Sequence, residues 1–450
     1  MSSIPVLAGP PASGAACGAD VLSASKLAAR VGDAARLLPR GGRVAVQGGS
    51  ALSRLCWLLA ADRADCAALL PDASWPRRER DAVLDDARPS VLVDAAAGAV
   101  HPLPGSPDPA PVPAPERVPF YLAGTSGSSG RPRVLQRSRG SWLRSFDRLG
   151  LDVAPGDRVL VPGPLSSSLF LFGALHALHA GAEPVLLEEW SAEAAARAAT
   201  GCAVVHLVPA MLSALLAVLE RDPALREACL LRTAVCAGAR LDPGTRRRLR
   251  AVLPDCALLE YYGSAEQSLI AVGRDGPLHP VVPVHLDADG LLSTGTELAA
   301  DGYLQAGDLV VPPEWAAGRI SVGDRAQWLP DGALQVLGRS GTAIDSGGAL
   351  IDPEEVEDVL RGCPGVRDVL VSATPHPRFG SLVTALIEPD PQRHPSTAEL
   401  RRRCREALEP AARPRRWLAP AELPRTASGK PARALAAERL RDGDLPAEPL

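Results

Sequence analysis

Tyr121-Leu122-Ala123-Gly124-Thr125-Ser126-Gly127-Ser128-Ser129-Gly130-Arg131-Pro132-Arg133 interrupts apolar sequence with a short run of glycine, serine and threonine. Small side chains let backbone N–H groups close on an anion, and hydroxyls add donors. Arg131 and Arg133 bring positive charge to the same turn. A flexible Gly/Ser linker has a similar composition, but it rarely ends in Arg-Pro-Arg and continues into apolar residues. The stretch therefore predicts a phosphate-binding loop. It is not a Walker A loop, which requires GxxxxGK[ST].

Immediately upstream, residues 102–117 carry Pro102, Pro104, Pro107, Pro109, Pro111, Pro113 and Pro115, and predict an exposed extended connection. On both sides of it, strand-like apolar runs alternate with helical patterns. Residues 43–47, 90–94, 158–161, 184–187, 203–207 and 233–236 read as strands, and 50–61 as a helix. That rhythm predicts an α/β fold with largely parallel sheets. From about residue 283 to 335, short segments between Gly and Pro turns predict a small antiparallel β subdomain. A compact α+β tail follows, with helices at 353–361 and 397–408 and strands at 366–373 and 382–387. The expected organisation is a large domain over 1–338 and a small one over 339–450.

A chain of 450 residues, 46% hydrophobic and 22% charged, is expected to be a soluble multidomain protein. A net charge of −4 gives no electrostatic case for nucleic acid or an anionic membrane. The 4% aromatic content disfavours platforms for stacking single-stranded bases. Nine cysteines are scattered without CxxC or zinc spacing, which predicts free thiols in a reducing cytoplasm. Residues 13–17 faintly resemble a lipoprotein cleavage site. No basic cluster precedes them, and Pro5, Pro10 and Pro11 interrupt any apolar region, so no lipid anchor is expected. The apolar run 169–187 contains His176, His179 and Glu183, and predicts a buried helix and strand rather than a membrane span.

Of 48 basic residues only Lys26 and Lys430 are lysines. A lysine that persists against such an arginine bias points to a task for a compact ammonium on a flexible stem. Lys430 lies in Leu423-Pro424-Arg425-Thr426-Ala427-Ser428-Gly429-Lys430-Pro431-Ala432-Arg433.

Taken in order, these segments resemble the acyl-adenylate-forming ligases: acyl-CoA synthetases, nonribosomal peptide adenylation domains and beetle luciferases. Thr125 to Arg133 matches their loop [ST]SG[ST]TGxPK in register, with Arg133 where lysine is usual. Ala237-Gly238-Ala239-Arg240 is similar to the turn lining the adenine pocket. Tyr261-Tyr262-Gly263-Ser264-Ala265-Glu266 is similar to the aromatic-Gly-x-Thr-Glu stretch, with Ala265 for threonine. Val322-Gly323-Asp324-Arg325 and Leu337-Gly338-Arg339 resemble the ribose block, with Asp331-Gly332 between them read as a hairpin turn. Ser346-Gly347-Gly348 and the helix start Pro353-Glu354-Glu355-Val356-Glu357 follow, the glutamates being read as ordinary helix N-terminal chemistry. Gly341 takes the hinge position, usually Asp or Lys. Pro424 to Lys430 matches Pro-x-x-x-x-Gly-Lys. The resemblance covers nearly the whole chain.

The resemblance implies a site for ATP. Thr125, Ser126, Gly127, Ser128, Ser129, Gly130 and Arg133 would surround the phosphates. Gly238, Ala239, Arg240, Gly263, Ser264 and Ala265 would line the nucleotide. Tyr262 would stack on adenine, Asp324 would accept from the ribose hydroxyls, and Arg339 would contact ribose or phosphate. Glu266 and Thr125 would hold Mg²⁺. Ser167, Phe170, His206 and Gly263 would line the acyl pocket; His206 reads equally as a core histidine with a satisfied hydrogen bond. Lys430 and Glu266 would be catalytic.

The implied reaction joins a carboxylate to the α-phosphate of ATP, then transfers the acyl group to CoA or to the phosphopantetheine of an acyl carrier protein acting in trans. The small domain would rotate between the two steps. Basic residues such as Arg401, Arg413 and Arg415 could meet the acceptor, but most read as solvated helix faces. Pro164 to Phe170 lacks the aspartate with which amino-acid-activating relatives hold an α-ammonium, so a small or medium carboxylic acid is expected. The leading expectation is an acyl-CoA ligase, of fatty acid or secondary metabolism. The rivals are a stand-alone carrier-protein ligase and a degenerate nucleotide-binding relative, toward which Arg133, Ala265 and Gly341 point. A monomer or homodimer is expected.

Overall fold

The computed structural model describes residues 3–73, 75–103, 114–125, 133–339, 344–346, 349–376, 380–426 and 429–450, with backbone alone at residues 339, 345, 349, 350 and 380. The chain forms two compact units. One comprises Met1–Ala239, Arg248–Val284 and Ser293–Ile320; the other comprises Arg240–Arg247, His285–Leu292 and Ser321–Leu450.

In the large unit the elements that position the candidate site run as follows: β1 (Pro119–Thr125), β2 (Arg133–Ser138), α1 (Arg139–Leu149), β3 (Arg158–Val161), α2 (Ser168–His179), β4 (Glu183–Leu186), α3 (Ala192–Ala199), β5 (Val204–Leu207), β6 (Thr233–Ala237), β7 (Ala257–Ser264), β8 (Ser268–Arg274) and β9 (Gly302–Gln305). An eight-stranded sheet has the order Asp308–Val310, β9, β2, β1, Ala67–Leu69, Arg43–Gln47, Val91–Asp94, Ala99–Pro102. A nine-stranded sheet has the order His279–Pro280, β8, β7, β6, β5, β3, β4, Ala15–Cys17, Asp20–Leu22. Both are parallel at the centre and antiparallel at the edges. The expected strands and the helix over 50–61 form with small shifts of their ends.

Why the centre is parallel is plain in β5. Every residue from Val204 to Leu207 is buried, the near-continuous apolar run of a strand covered on both faces. Parallel strands need crossover connections: α2 links the neighbours β3 and β4, and α3 carries the chain from β4 to β5 on the other side of β3. The chain leaves β3 toward β4, then returns past it to β5, β6 and β7. The direction of winding therefore reverses between β3 and β5. Part of the antiparallel structure expected after residue 283 is built onto the edge of the eight-stranded sheet, where β9 pairs with β2.

The smaller unit holds the hairpin β10 (Asp324–Trp328) and β11 (Leu334–Arg339), then α4 (Pro353–Arg361), β12 (Val366–His376), β13 (Gly380–Pro389), β14 (Arg416–Pro420) and α5 (Arg433–Asp442). β12 and β13 form a long antiparallel pair, and β14 joins β13 in parallel. Their core includes Val356, Leu360, Val371, Val383, Ile387 and Leu400. Asp352 caps α4, its side chain accepting from Glu354 N at 2.9 Å, and Pro353 follows at the first turn.

All nine cysteines are free, and eight of them are buried. The run expected to be a buried helix and strand is α2 and β4. Among the described residues no helix is long and apolar enough to cross a membrane.

Candidate active site

The candidate phosphate loop closes a hairpin. Thr125 and Arg133 are the last paired residues of β1 and β2, and Thr125 Oγ1 donates to Arg133 O at 3.4 Å. Ser126, Gly127, Ser128, Ser129 and Gly130 lie outside the described residues. Gly124, just before the loop, is covered by an indole: a Cβ there would fall 2.3 Å from Trp75 Cη2.

Arg133 leaves the hairpin toward an aromatic ring. Its guanidinium carbon sits 3.4 Å from the centroid of Tyr303 in β9. The Tyr303 hydroxyl donates in turn to Glu266 Oε1 at 3.2 Å. The position has arginine where the resembled family has lysine, and only a guanidinium has a planar face to stack on an aromatic ring.

A second arginine of β2 fastens the same region from beneath. Arg137 is 2% exposed, and its Nη1 donates to Ala265 O at 2.7 Å. Its Nη2 donates to Ser141 Oγ at 3.2 Å and to Leu298 O. Burial pulls its guanidinium down to about 10, against the charges of Asp301, Tyr121 and Glu266, so it remains protonated at neutral pH. Ala265 thus acts through its backbone, which any residue could supply.

The turn from β7 to β8 is built to present Glu266. The pairing shifts register between Tyr262 and Gly263. A Cβ on Gly263 would lie 2.0 Å from Ser268 O, so only glycine lets the strands approach this closely. Ser264 Oγ accepts from Gln267 N at 3.0 Å. Gln267, fully buried, donates to Thr294 Oγ1 at 3.1 Å and Ile320 O at 2.8 Å. β6 pairs with β7 through Ala237 and Tyr261, and Gly238 and Tyr262 are the residues that follow that pair in the two parallel neighbours. Gly238 adopts φ +89°, where glycine is favoured.

Glu266 and Thr125 are oxygen donors. Among the described residues no three His, Cys, Asp or Glu side chains gather to form a metal cage. That donor set suits Mg²⁺, which is commonly held by one or two carboxylates together with substrate phosphates.

Of the expected acyl residues, Ser167, Phe170 and His206 lie on or beside the elements where the nine-stranded sheet reverses, and Gly263 lies on β7. Ser167 precedes α2, and its neighbour Ser166 donates to Asp72 Oδ2 at 3.0 Å. Phe170 is fully buried, its ring filling the place a Cβ on Gly163 would take. His206 is fully buried in β5, and neither ring nitrogen has a hydrogen-bond partner among the described residues.

In the smaller unit, Asp324 pairs with Arg339 at the open end of the β10–β11 hairpin. The Arg339 side chain lies outside the described residues, as do Gly341, Gly347 and Gly348. Gly338 adopts φ +119°, and a Cβ there would fall 3.1 Å from Asp352 Oδ2 and 3.3 Å from Glu354 Oε2. Burial pushes the Glu354 carboxyl up to about 7; Arg433 opposes this, and Glu357, Asp352 and Asp324 add to it. Arg240 pairs with Asp358 of α4 at 2.7 Å.

Lys430 stands in a fastened turn. Thr426 N donates to Lys430 O at 2.8 Å, and Gly429 adopts φ +80°. On one side Arg425 pairs with Asp368 and Glu388, each at 2.9 Å. On the other Arg433 pairs with Glu357 at 2.7 Å. Tyr303 and Arg137 contact Glu266 and Ala265, and Arg425 anchors the turn that carries Lys430, yet none of the three is singled out by the sequence. Arg425 lies inside the Pro-x-x-x-x-Gly-Lys match and could have been; the other two carry no local signal.

Residues 15–298 match the model of the AMP-binding enzyme family, and residues 355–430 match that of the AMP-binding enzyme C-terminal domain. A protein of Bacillus subtilis (strain 168) named as an uncharacterized acyl-CoA ligase, YhfT, is 29% identical over 436 residues, covering 87% of this chain and 86% of that protein. ATP-bound MatB from Rhodopseudomonas palustris shares the fold, with a TM-score of 0.82 and 22% identity over 99% of this chain and 100% of that one. So does o-succinylbenzoate CoA synthetase (MenE) from Bacillus subtilis in complex with its acyl-adenylate intermediate, with a TM-score of 0.79 and 20% identity over 96% of this chain and 97% of that one. The chain belongs to the AMP-binding enzyme family, the acyl-adenylate-forming ligases, and is an AMP-forming acid–thiol ligase.

Proposed function

We propose that the chain activates a small or medium carboxylic acid with ATP and passes the acyl group to a pantetheine thiol, that of CoA. The observation that supports this best is the run of contacts Arg133–Tyr303–Glu266. It ties a phosphate-loop cation to a carboxylate suited to Mg²⁺.

A carboxylate is a poor acyl donor because its leaving group would be oxide. Attack of a carboxylate oxygen on the α-phosphorus expels pyrophosphate and leaves an acyl-adenylate. The thiol then attacks the acyl carbon, and AMP departs. Negative charge gathers where carboxylate meets phosphate, and Lys430 supplies an ammonium there. Arg133, with the backbone N–H groups of its loop, holds the departing phosphates. Bound Mg²⁺ would neutralise phosphate charge from Glu266 and Thr125. Tyr262 and Gly238 would flank the adenine, and Asp324 would accept from the ribose hydroxyls.

ATP–pyrophosphate exchange across a panel of carboxylic acids tests the reading, followed by thioester formation with CoA or with a holo-carrier protein. Exchange with an acid and acyl-CoA as product are expected. Exchange with no acid would mark a nucleotide-binding relative, and transfer to the carrier protein alone would replace CoA as acceptor.

A further inference from the structure

His206 is an unusual thing to bury in β5. The strand is otherwise apolar, its ring has no exposed surface, and both ring nitrogens lack a partner among the described residues. Opposite it, α2 carries Gly173. A Cβ at that position would lie 2.8 Å from His206 Cγ, so the glycine makes room for the imidazole. Glycine weakens a helix interior, and an unpaired buried polar group destabilises a core. Phenylalanine or leucine at 206 would spare the second cost. Buried polar groups without partners are rare enough that each calls for an explanation.

A second imidazole accompanies it. His176 of α2 is 6% exposed, and its Nδ1 likewise has no partner among the described residues. Phe172 stacks beside His176 at 6.2 Å between centroids, and lies 6.4 Å from Tyr261. Burial pushes His206 down to about 3 and His176 down to about 4, so both rings are neutral at pH 7. Their place in the fold is also telling. β5 lies beside β3, where the winding of the sheet reverses. In open α/β sheets, ligands bind off the carboxyl ends of the strands at such a point. His206 is the third of four residues in β5, close to that end.

We propose that His206, with His176 beside it, reads a neutral hydroxyl at the far end of the acyl group, making the substrate a hydroxylated carboxylic acid. This rests on the activation of a carboxylic acid proposed above. A neutral imidazole offers one N–H donor and one acceptor, and a hydroxyl complements both. A hydrocarbon tail would leave both nitrogens unpaired. A second carboxylate would bring a buried charge that a neutral ring does not offset.

Matched acids with and without a terminal hydroxyl, one pair aliphatic and one pair aromatic, provide the test. ATP–pyrophosphate exchange is measured for the wild type and His206→Phe, and the imidazole ¹⁵N resonances of the wild type are followed as each acid is added. The wild type should favour the hydroxylated member of one pair by about 100-fold or more, as sites built around a substrate hydroxyl do. Which pair shows the preference tells an aliphatic from a phenolic substrate. His206→Phe should bring that ratio close to one, and the same acid should shift the His206 resonances. Exchange with plain acids at equal or better rates, or a ratio unchanged in His206→Phe, overturns the proposal and leaves acid activation standing. Resonance shifts without any exchange would overturn acid activation and keep the hydroxyl site. Neither exchange nor shifts would overturn both. If His206→Phe does not fold, the wild-type ratio and the resonances still decide.

Discussion

The Tyr303 hydroxyl donates to Glu266 Oε1 at 3.2 Å while Arg133 lies against the face of the same ring. One side chain therefore touches both the phosphate-loop cation and the proposed metal carboxylate. The two contacts separate by mutation. Tyr303→Phe keeps the ring and loses the hydroxyl, and Tyr303→Leu loses both. A hydrogen bond to a charged group is worth about 1.5–3 kcal/mol, so Tyr303→Phe should weaken binding of Mn²⁺, in place of Mg²⁺, by roughly tenfold or more in an EPR titration. It should leave the KM for ATP near the wild-type value. Tyr303→Leu should also raise that KM several-fold, since an exposed cation–π contact is worth about 0.5–1 kcal/mol. Equal effects of both variants would mean the ring has no role beyond packing.

Gly263 has little room to change. A Cβ there would meet backbone, 2.0 Å from Ser268 O, with no flexible side chain to move aside. Gly263→Ala should therefore open the turn that carries Tyr262 and Glu266. The expected outcome is loss of ATP binding by calorimetry, with a melting temperature lowered by several degrees. Wild-type affinity in this variant would show that the tight bulge is dispensable.

Glu354 should give stability a pH dependence of definite sign. Its carboxyl titrates near 4.5 when unperturbed and is held up to about 7 in the folded chain, chiefly by burial. Below pH 4.5 both states carry the proton. As pH rises toward 7 the unfolded chain gives up its proton first, so stability falls by up to about 3 kcal/mol and then levels off. Glu354→Gln should match the wild type near pH 4.5 and melt higher above pH 7. A variant that melts lower at pH 8 would show that the ionised carboxylate is favoured in the fold.

How much of this could be read from the sequence depends on how local each contact is. Lys430, Glu266 and Asp324 stand in short motifs whose glycines and turns are local, so the sequence alone suffices to propose them. The parallel strands were legible too, since runs such as Val204–Leu207 are apolar throughout. Tyr303 was not. Its partners Arg133 and Glu266 come from distant segments, joined by the pairing of Tyr303 with Leu135 across β9 and β2. Arg137 was missed for the same reason, because its acceptors are the carbonyls of Ala265 and Leu298. Arg425 was read as part of a motif, but its anchors Asp368 and Glu388 lie on β12 and β13. For His206 the sequence allowed a pocket residue or a satisfied core histidine. The fold buries the ring and gives neither nitrogen a partner among the described residues.

In the proposed reaction Lys430 acts at the carboxylate–phosphate step and not at the thiol step. Lys430→Ala measured separately in the two half-reactions tests it most directly. ATP–pyrophosphate exchange should fall by about 10²–10³, the loss expected when one well-placed charge-stabilising donor is removed. Thioester formation from supplied acyl-adenylate should continue near the wild-type rate. An equal fall in both half-reactions would contradict the account.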